Sequence, residues 1–283
     1  FTRIKNKLKN FFIGDGQKEL LNQNKNINGL VLINQNQILK KSMSESEVKI
    51  FSQFGEDGII QYIIKNIKLS NNKFIEFGVE NYEEANTRFL LESCGWEGLI
   101  IDSSEKNINY IKQQNYYWKF NLIVEKKFID KENINRIFSN HNLVGDIGLL
   151  SIDIDGNDYW IWNEINNINP DIVIIEYNAR FGLSKSVTVK YKKDFNRHDG
   201  NKLIYGASLK ALKKLGEKKG YALIYTNSNG NNAFFVKKSL LNKNLQELTI
   251  EQAFNKNSFN ELVHEKENFE FQEALKLSEI SEV

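Results

Sequence analysis

The stretch that most constrains the fold of this chain runs from Phe74 to Ser104 and reads FIEFGVENYEEANTRFLLESCGWEGLIIDSS. A short apolar run, Phe74–Phe77, ends at Gly78, and apolar residues then recur at helical spacing between Glu83 and Ser93. A glycine-containing turn and a second apolar run, Leu99–Ile101, follow. The pattern predicts a strand, a helix and a second strand, which is the βαβ unit of a parallel sheet.

Both predicted strands end at residues that suit ligand binding. In an open parallel sheet, ligands lie at the carboxyl ends of the strands, beside the point where the strand order reverses. Gly78 follows the first strand and lets a ligand approach the backbone closely, while Asp102, with Ser103 after it, ends the second. A carboxylate there can accept hydrogen bonds from both hydroxyls of a ribose. A glycine turn and a polar residue are also ordinary features of any doubly wound protein, so both interpretations stay open.

The glycine turn lacks the pattern that binds a dinucleotide. Dinucleotide sites use G-x-G-x-x-G, so that a pyrophosphate can lie against bare backbone at the start of a helix. Here the three positions are Gly78, Glu80 and Glu83, and two carboxylates would repel a pyrophosphate. The same acids favour a ligand that carries an ammonium group and a sulfonium, as S-adenosylmethionine does.

The residues from Glu76 to Val79 resemble motif I of class I S-adenosylmethionine-dependent methyltransferases, with Glu76 as the acid just before the glycine turn. The form is most similar to the E-F-G-V-x-x-G-x-S of macrolide- and sugar-tailoring O-methyltransferases. The sequence departs from that form after Val79: Asn81-Tyr82 replace the expected glycine region, and Asn86-Thr87 stand where the final Ser or Thr would be. The resemblance implies S-adenosylmethionine as cofactor, with Glu76, Gly78, Asp102 and Ser103 among its contacts.

The resemblance also implies a fold. Class I methyltransferases have a Rossmann-like, doubly wound sheet of seven strands that ends in an antiparallel hairpin, and Tyr221–Thr226 with Ala233–Val236 fits such a hairpin. We expect this α/β domain over residues 50–240, with helical extensions at 1–49 and 241–283.

A polar cluster precedes the first strand. The predicted lead-in helix, Ser44–Leu69, carries Gln53 and Asp57 where it enters the sheet region. In the resembled family a segment at this place folds over the methionine end of the cofactor, which makes Gln53 a candidate contact. Capping of the helix N-terminus explains both residues as well.

Carboxylates cluster at the end of the fourth predicted strand. An apolar run, Ile147–Ile152, predicts a central strand, and it is followed by Asp153, Asp155 and Asp158. Three carboxylates within six residues repel one another unless something positive joins them. Asp153 leaves the strand beside the predicted cofactor crevice, so it is a candidate for cofactor binding and catalysis.

Glu176 lies near the end of the fifth predicted strand, Asp171–Tyr177, and Asn178 follows the strand. Acids at the ends of strands four and five resemble the divalent-metal site of catechol-type and sugar O-methyltransferases, which implies Asp153, Glu176 and Asn178 as ligands. Such oxygen ligands suit Mg²⁺, Ca²⁺ or Mn²⁺. Turn and N-cap chemistry is the competing explanation of these acids.

A polar loop, Phe181–Ile204, holds His198. A loop this long within a compact domain is usually functional, and imidazole titrates near neutral pH. His198 is therefore our candidate for the base that takes a proton from a substrate hydroxyl, while a solvated loop histidine is the alternative.

Composition excludes several classes of function. Among 283 residues, 41% are hydrophobic and 26% charged, and the net charge is +2, which gives no case for a nucleic-acid partner. The single cysteine, Cys94, cannot form an internal disulfide and fits a reducing compartment. No apolar run reaches the roughly 18 residues of a membrane span, and no signal-peptide pattern is present, so we expect a cytoplasmic protein without a transmembrane segment.

Both termini suggest contacts that the sequence leaves open. Arg3–Ile13 is a short basic amphipathic segment that suits an anionic surface, or a solvated helix on a neighbour. Gln17–Lys41 is predicted helical, for subunit contact in a homo-oligomer or for packing on the core. The acidic stretch 240–283 has a helical pattern and could pack on the core, on a second subunit or over the substrate.

We therefore expect an S-adenosylmethionine-dependent methyltransferase that acts on an oxygen of a sugar or another small polar acceptor, as in carbohydrate biosynthesis, with Mg²⁺ or Mn²⁺ as a candidate cofactor. Two alternatives are a nicotinamide-dependent oxidoreductase on a similar sheet and a non-catalytic scaffold. The missing glycines and the terminal hairpin argue against the oxidoreductase.

Overall fold

The computed structural model describes residues 15–197, 203–256 and 280–283. Its centre is a sheet of seven strands in the order β3-β2-β1-β4-β5-β8-β7. The first five strands run parallel, β8 pairs antiparallel with β5, and β7 pairs antiparallel with β8. The strands are β1 (Lys73–Phe77), β2 (Glu97–Asp102), β3 (Leu122–Lys126), β4 (Gly145–Ile152), β5 (Ile168–Glu176), β7 (Tyr221–Thr226) and β8 (Asn232–Lys237). The predicted Rossmann-like sheet with its terminal hairpin is confirmed.

Helices cover both faces of this sheet. They are α1 (Asp15–Ile38), α2 (Glu56–Asn66), α3 (Arg88–Ser93), α4 (Glu105–Lys112), α5 (Asn115–Lys119), α6 (Ile134–Asn140), α7 (Asp158–Glu164), α8 (Leu209–Lys218) and α9 (Ile250–Ala253). Among these described helices, none is both long and apolar enough to cross a bilayer.

The central strands are apolar because both of their faces are buried. In β5, Val173 and Ile175 belong to the core on one side of the sheet, and Ile172 and Ile174 to the core on the other. Successive side chains of a strand point to opposite faces, so a strand between two helical layers needs an unbroken apolar run. The first layer includes α6, α7 and α8, and the second includes α2 and α4.

Three predicted boundaries differ from the structure. The helix expected from Glu83 begins only at Arg88, because the side chain of Glu76 accepts hydrogen bonds from the backbone of residues 86 and 87 and holds them in a turn. The lead-in helix begins at Glu56, since Gly55 has a φ of 104° that no α-helix contains. The fifth strand, expected from Asp171, begins at Ile168, where it already pairs with β4.

The long loop before α8 and the tail carry a second sheet. β6 (Val187–Val189) pairs antiparallel with β9 (Ile280–Glu282) over a small apolar cluster. The helical pattern expected for 241–283 is therefore wrong at its end, where the chain is a strand, and α9 is one turn long. Residues 1–14 and 257–279 lie outside the described part, and with them the basic segment and most of the acidic stretch.

The strand order reverses between β1 and β4, and the two strand ends touch there. Gly78 has a φ of 69°, and a Cβ atom on it would lie 1.5 Å from the carbonyl oxygen of Asp153. Only a glycine lets the backbone leaving β1 approach the backbone leaving β4 this closely. The contact places both exits at the edge where a doubly wound sheet binds its ligand.

We predict that Gly78→Ala destabilises the fold far more than Gly95→Ala. Both glycines have a φ of 69°, but a Cβ at Gly95 would meet nothing within 4 Å. The control should therefore cost only the left-handed backbone penalty of about 1 to 2 kcal/mol, whereas the clash at Gly78 should add about 2 kcal/mol or more. Urea unfolding of both variants measures the difference, and equal losses would show that the Gly78 contact is not needed.

Candidate functional site

A cavity of about 460 Å³ opens at the carboxyl ends of β1, β2, β4 and β5. This volume is within the usual range for small-molecule sites. Of the residues predicted from sequence, six line the cavity: Gln53, Gly78, Asp102, Ser103, Asp153 and Glu176. Three do not belong to this lining: Glu76 and Asn178 are placed elsewhere, and His198 lies outside the described residues.

Asp102 ends β2 with a fixed side chain. Its Oδ1 accepts hydrogen bonds from the Ser104 amide at 2.8 Å and from Asn107 Nδ2 at 3.2 Å. Ser104 in turn caps α4, because its hydroxyl accepts from the Asn107 amide. Among the described residues no hydrogen bond uses Oδ2 of Asp102, so one carboxylate oxygen is held in place while the other can serve a ligand in the cavity.

Glu76 is one layer below the cavity rather than in its wall. Its carboxylate is 5% exposed and accepts hydrogen bonds from the Asn86 amide, the Thr87 amide and the Thr87 hydroxyl. Burial raises the pKa of Glu76 to about 7 although these donors act in the opposite direction. The prediction of a direct cofactor contact is therefore corrected: the side chain fixes the turn that closes the loop after β1.

The acids of that loop divide between two tasks. Glu80 and Glu84 line the cavity. Glu83 instead accepts a hydrogen bond from the Tyr110 hydroxyl. Glu80 and Tyr82 have positive φ angles of 48° and 61°, a conformation that side chains rarely adopt. Tyr82 is fully buried, while Glu80 lines the ligand space.

Gln53 and Phe54 reach the cavity because buried carboxylates hold the segment around them. Oδ2 of Asp57 accepts three backbone amides, from Ile50, Phe51 and Ser52, at 2.7 to 2.8 Å. The segment thus wraps around the N-terminus of α2, which explains Asp57 as a structural residue rather than a ligand contact.

Glu56 ties the same segment to the hairpin between β7 and β8. Its Oε1 accepts hydrogen bonds from Asn227 Nδ2 at 2.8 Å and from Asn232 Nδ2 at 2.9 Å. Both asparagines therefore have a structural partner. Asn229 and Asn231 line the cavity next to them.

Three carboxylates converge at the ends of β4 and β5. One oxygen from each of Asp153, Asp155 and Glu176 lies within 4.8 Å of the others. Burial raises the pKa of Asp153 and of Glu176 well above the ordinary value, and the neighbouring acids raise both further. Glu176 is 8% exposed, and its Oε2 is buried without a hydrogen-bond partner in the described structure. Carboxyl groups this close repel one another unless a proton or a positive group lies between them.

Asn178, the third predicted ligand, does not line the cavity. Its Nδ2 donates to the carbonyls of Leu203 and Tyr205 at 2.8 and 3.1 Å, and its Oδ1 accepts from the Arg180 amide. The amide is fully used in holding the chain after β5. Asp155 takes the third place, and the sequence signal for it was its spacing of two residues from Asp153.

Asp158 serves the turn that follows β4. Its carboxylate accepts the amides of Ile154 and Gly156, both at 2.9 Å, and burial raises its pKa to about 6. The turn chemistry considered for this stretch thus explains Asp158, whereas it leaves Asp153 and Asp155 facing the cavity.

Arg197 and Tyr205 form the opposite wall. The guanidinium of Arg197 pairs with Asp155 and lies 3.6 Å from the centre of the Tyr205 ring. Arg197 directly precedes His198 in the chain.

The segment after β3 forms the remaining side. Lys127, Phe128 and Ile129 line the cavity. Phe128 is 48% exposed, so its ring offers an apolar face at the cavity mouth.

More acidic than basic side chains line the cavity, although Glu84 pairs with Lys49 at 2.8 Å and Asp155 pairs with Arg197. The acids are Glu80, Glu84, Asp102, Asp153, Asp155 and Glu176, and the cations are Lys127 and Arg197. A concave surface of one sign concentrates ligands of the opposite sign. The cavity therefore favours a cationic ligand over a diphosphate.

Scans against protein-family models and against curated protein sequences find no significant match. Solved structures do match. The N-terminal domain of EvdMO1 with SAH bound is 11% identical over 64% of this chain and 79% of that chain, with a TM-score of 0.42. An S-adenosylmethionine-dependent methyltransferase from Clostridium acetobutylicum is 12% identical over 75% and 98%, also with a TM-score of 0.42. An O-methyltransferase from Bacillus cereus in complex with SAH is 15% identical over 62% and 76%, with a TM-score of 0.40.

Likenesses this distant do not establish an activity. We therefore base the functional proposal on the residues of this chain.

We predict that Asp57 makes the stability of the chain fall as the pH rises from about 4 to 6. Burial raises its pKa from 3.8 to about 6, so the folded chain keeps a proton that the unfolded chain has lost. Over this window the folded state binds more protons, and the free energy of unfolding decreases by roughly 3 kcal/mol. Asp57→Asn keeps an oxygen for the three amides but has no proton to lose.

The measurement is urea unfolding of both chains between pH 4 and pH 8. The difference between wild type and Asp57→Asn should change through the window, whereas Asp194→Asn, which removes an exposed carboxyl, serves as the control with a constant difference. If the free energies of unfolding of wild type and Asp57→Asn change in parallel with pH, a buried proton on Asp57 is excluded.

Proposed function

We propose that the chain is an S-adenosylmethionine-dependent methyltransferase that acts on an oxygen of a sugar or another small polar acceptor. One observation carries the proposal: the cavity at the switch point of a methyltransferase-type sheet is lined by six acids and two cations. A sulfonium and an ammonium group gain from such a wall, and the diphosphate of a nicotinamide cofactor loses.

The residues of the cavity suit the parts of this cofactor. The free oxygen of Asp102 suits the ribose hydroxyls, and the ring of Phe128 suits a stacked base. Glu80 and Gln53 also line the cavity, where an ammonium group would find hydrogen-bond acceptors. When bound, S-adenosylmethionine supplies a methyl group on a positive sulfur. A nucleophile attacks the methyl carbon in line with the carbon–sulfur bond, and the sulfur leaves.

The acceptor would enter from a groove that continues the cavity. This groove has a volume of about 1260 Å³ and shares Asp155, Phe195 and Arg197 with the cavity. Its wall alternates acids and bases, which suits a polar, hydroxyl-rich molecule better than an apolar one. The oxygen must lose one proton as it forms the new bond to carbon. Asp153, at the end of β4, and His198, beyond Arg197, remain our candidates for orienting that hydroxyl and taking its proton.

A divalent cation fits the same site. Asp153, Asp155 and Glu176 would hold it, since their oxygens converge and Oε2 of Glu176 has no hydrogen-bond partner among the described residues. Carboxylate ligands suit Mg²⁺ or Mn²⁺. Bound beside the acceptor, the ion would lower the pKa of the attacking hydroxyl.

The first test is binding of S-adenosylhomocysteine by isothermal titration calorimetry. Wild type should bind, and Asp102→Asn should weaken binding about 10- to 100-fold, because hydrogen bonds from ribose hydroxyls to a charged acceptor are lost. The variant keeps an oxygen for the Ser104 amide, so the fold should persist. Asp146→Asn, at the opposite end of β4, is the matched control and should bind as wild type does.

Absence of heat with wild-type chain would favour the scaffold alternative. Heat with NADH instead would favour the oxidoreductase. Unchanged affinity in Asp102→Asn would remove Asp102 from the ribose role.

The second test concerns the cation. After dialysis against EDTA, Mn²⁺ should raise the melting temperature of wild type, because an ion that binds only the folded chain stabilises it by mass action. Glu176→Gln should weaken Mn²⁺ binding at least about tenfold, since it removes one charged ligand of the same shape. Asp146→Asn again serves as the control. A melting temperature that millimolar Mn²⁺ leaves unchanged would restrict these acids to contacts with cofactor or acceptor.

A further inference from the structure

The long helix α1 carries two stripes of residues on opposite sides. The inner stripe faces the protein and consists of Asn22, Asn26, Gly29, Ile33 and Asn36. Gly29 packs so closely that a Cβ atom would lie 2.6 Å from Ile50. Asn26 donates to Glu92 at 2.8 Å. The inner stripe thus docks the helix on α3 and on the segment that leads to Gln53.

The outer stripe has no partner among the described residues although it is largely apolar. Its members are Leu20, Asn24, Ile27, Val31, Asn34 and Ile38, and all six are exposed. The four apolar members are 50% to 72% exposed. Leu21 and Leu30 extend the stripe on its two sides and are 49% and 48% exposed. An apolar stripe of about 27 Å along a helix is larger than the scattered apolar residues of an ordinary surface.

The spacing of the outer stripe is that of a helix-pairing seam. Its members follow one another at intervals of four, three, four, three and four residues, which is the heptad pattern of two packed helices. The residues that flank the seam are uncharged: Leu21, Gln23, Asn28, Leu30, Gln35 and Gln37. A solvent-facing helix surface normally carries charges at these positions.

The seam is also complementary to itself. Two copies that run antiparallel with a two-fold axis at position 29 bring Leu20 against Ile38 and Ile27 against Val31. Asn24 then meets Asn34, so the two amides that interrupt the apolar stripe pair with each other rather than with apolar side chains. This is the reciprocal matching that an isologous dimer interface requires.

The charges of the helix favour the antiparallel arrangement. Lys40 and Lys41 follow the C-terminus of α1. In a parallel pair the lysines of both copies would meet and the two helix dipoles would add, whereas an antiparallel pair separates the lysines and opposes the dipoles.

We propose that the chain forms a two-fold dimer through the outer stripe of α1, with a second copy of the chain as the partner. The dimer supports the segment that carries Gln53 from outside, because the inner stripe of the same helix packs on Ile50. This inference does not depend on the proposed function.

Sedimentation equilibrium of the full chain tests the dimer. Wild type should be dimeric at micromolar concentrations, and Ile27→Lys should raise the dimer dissociation constant at least about tenfold, because it puts a charge into the centre of the seam. Leu32→Lys is the matched control: Leu32 is also exposed, at 40%, but it lies about 140° around the helix from Ile27. The control should remain dimeric.

Cysteine cross-linking tests the orientation. The double variant Asn24→Cys with Asn34→Cys should form a disulfide-linked dimer on mild oxidation, since residues 24 and 34 of one chain are about 15 Å apart and cannot bridge within it. Each single variant should give no more dimer than wild type, which has Cys94 as its background.

A chain that stays monomeric at 200 micromolar would overturn the proposal, and so would a dimer that Ile27→Lys leaves intact. Cross-linking of a single variant would show parallel pairing and would equally overturn the antiparallel dimer.

Discussion

The contact between the backbone at Gly78 and the carbonyl of Asp153 is the constraint on which the rest of the site depends. It brings the ends of β1 and β4 together at the point where the strand order reverses. This contact sets the positions of the residues that face the cavity, because Glu80 follows the end of β1 and Asp155 follows the end of β4. A side chain at position 78 would push the two exits apart and with them the walls of the cavity.

The parts of the fold that the sequence predicts are those with local causes. The buried strands are visible because strands covered on both faces must be unbroken apolar runs. The start of α3 was predicted too early because the cause is distant: a carboxylate in β1 captures the amides of residues 86 and 87. The strand β9 was missed for the same reason, since its partner β6 lies about 90 residues away.

The same difference between local and distant causes applies to the candidate site. Position at a strand end was enough to predict that Asp102, Asp153 and Glu176 lie together at one edge of the sheet, because parallel strands end at one edge. It was not enough to tell a ligand-facing side chain from a structural one. Asn178 and Asp155 each stand two residues beyond a site acid, yet one is held by two carbonyls and the other opens to the cavity. Hydrogen-bond partners decide such roles, and they come from segments that no local pattern joins.

The buried carboxyls connect the stability of the chain to its ligand. Three buried carboxyls accept hydrogen bonds from amide or hydroxyl donors, and burial still raises the pKa of each: Asp57, Glu76 and Asp158. Asp153 and Glu176 have raised pKa values without an equivalent set of protein donors. In the first group, protein donors compensate the cost of burying the carboxyl. In the second group, a positively charged group would have to do so. Because uncompensated buried charge is costly, a cation bound between these acids would stabilise the fold by the same interaction that binds it. The stability of the folded chain would then depend on whether the cavity is occupied.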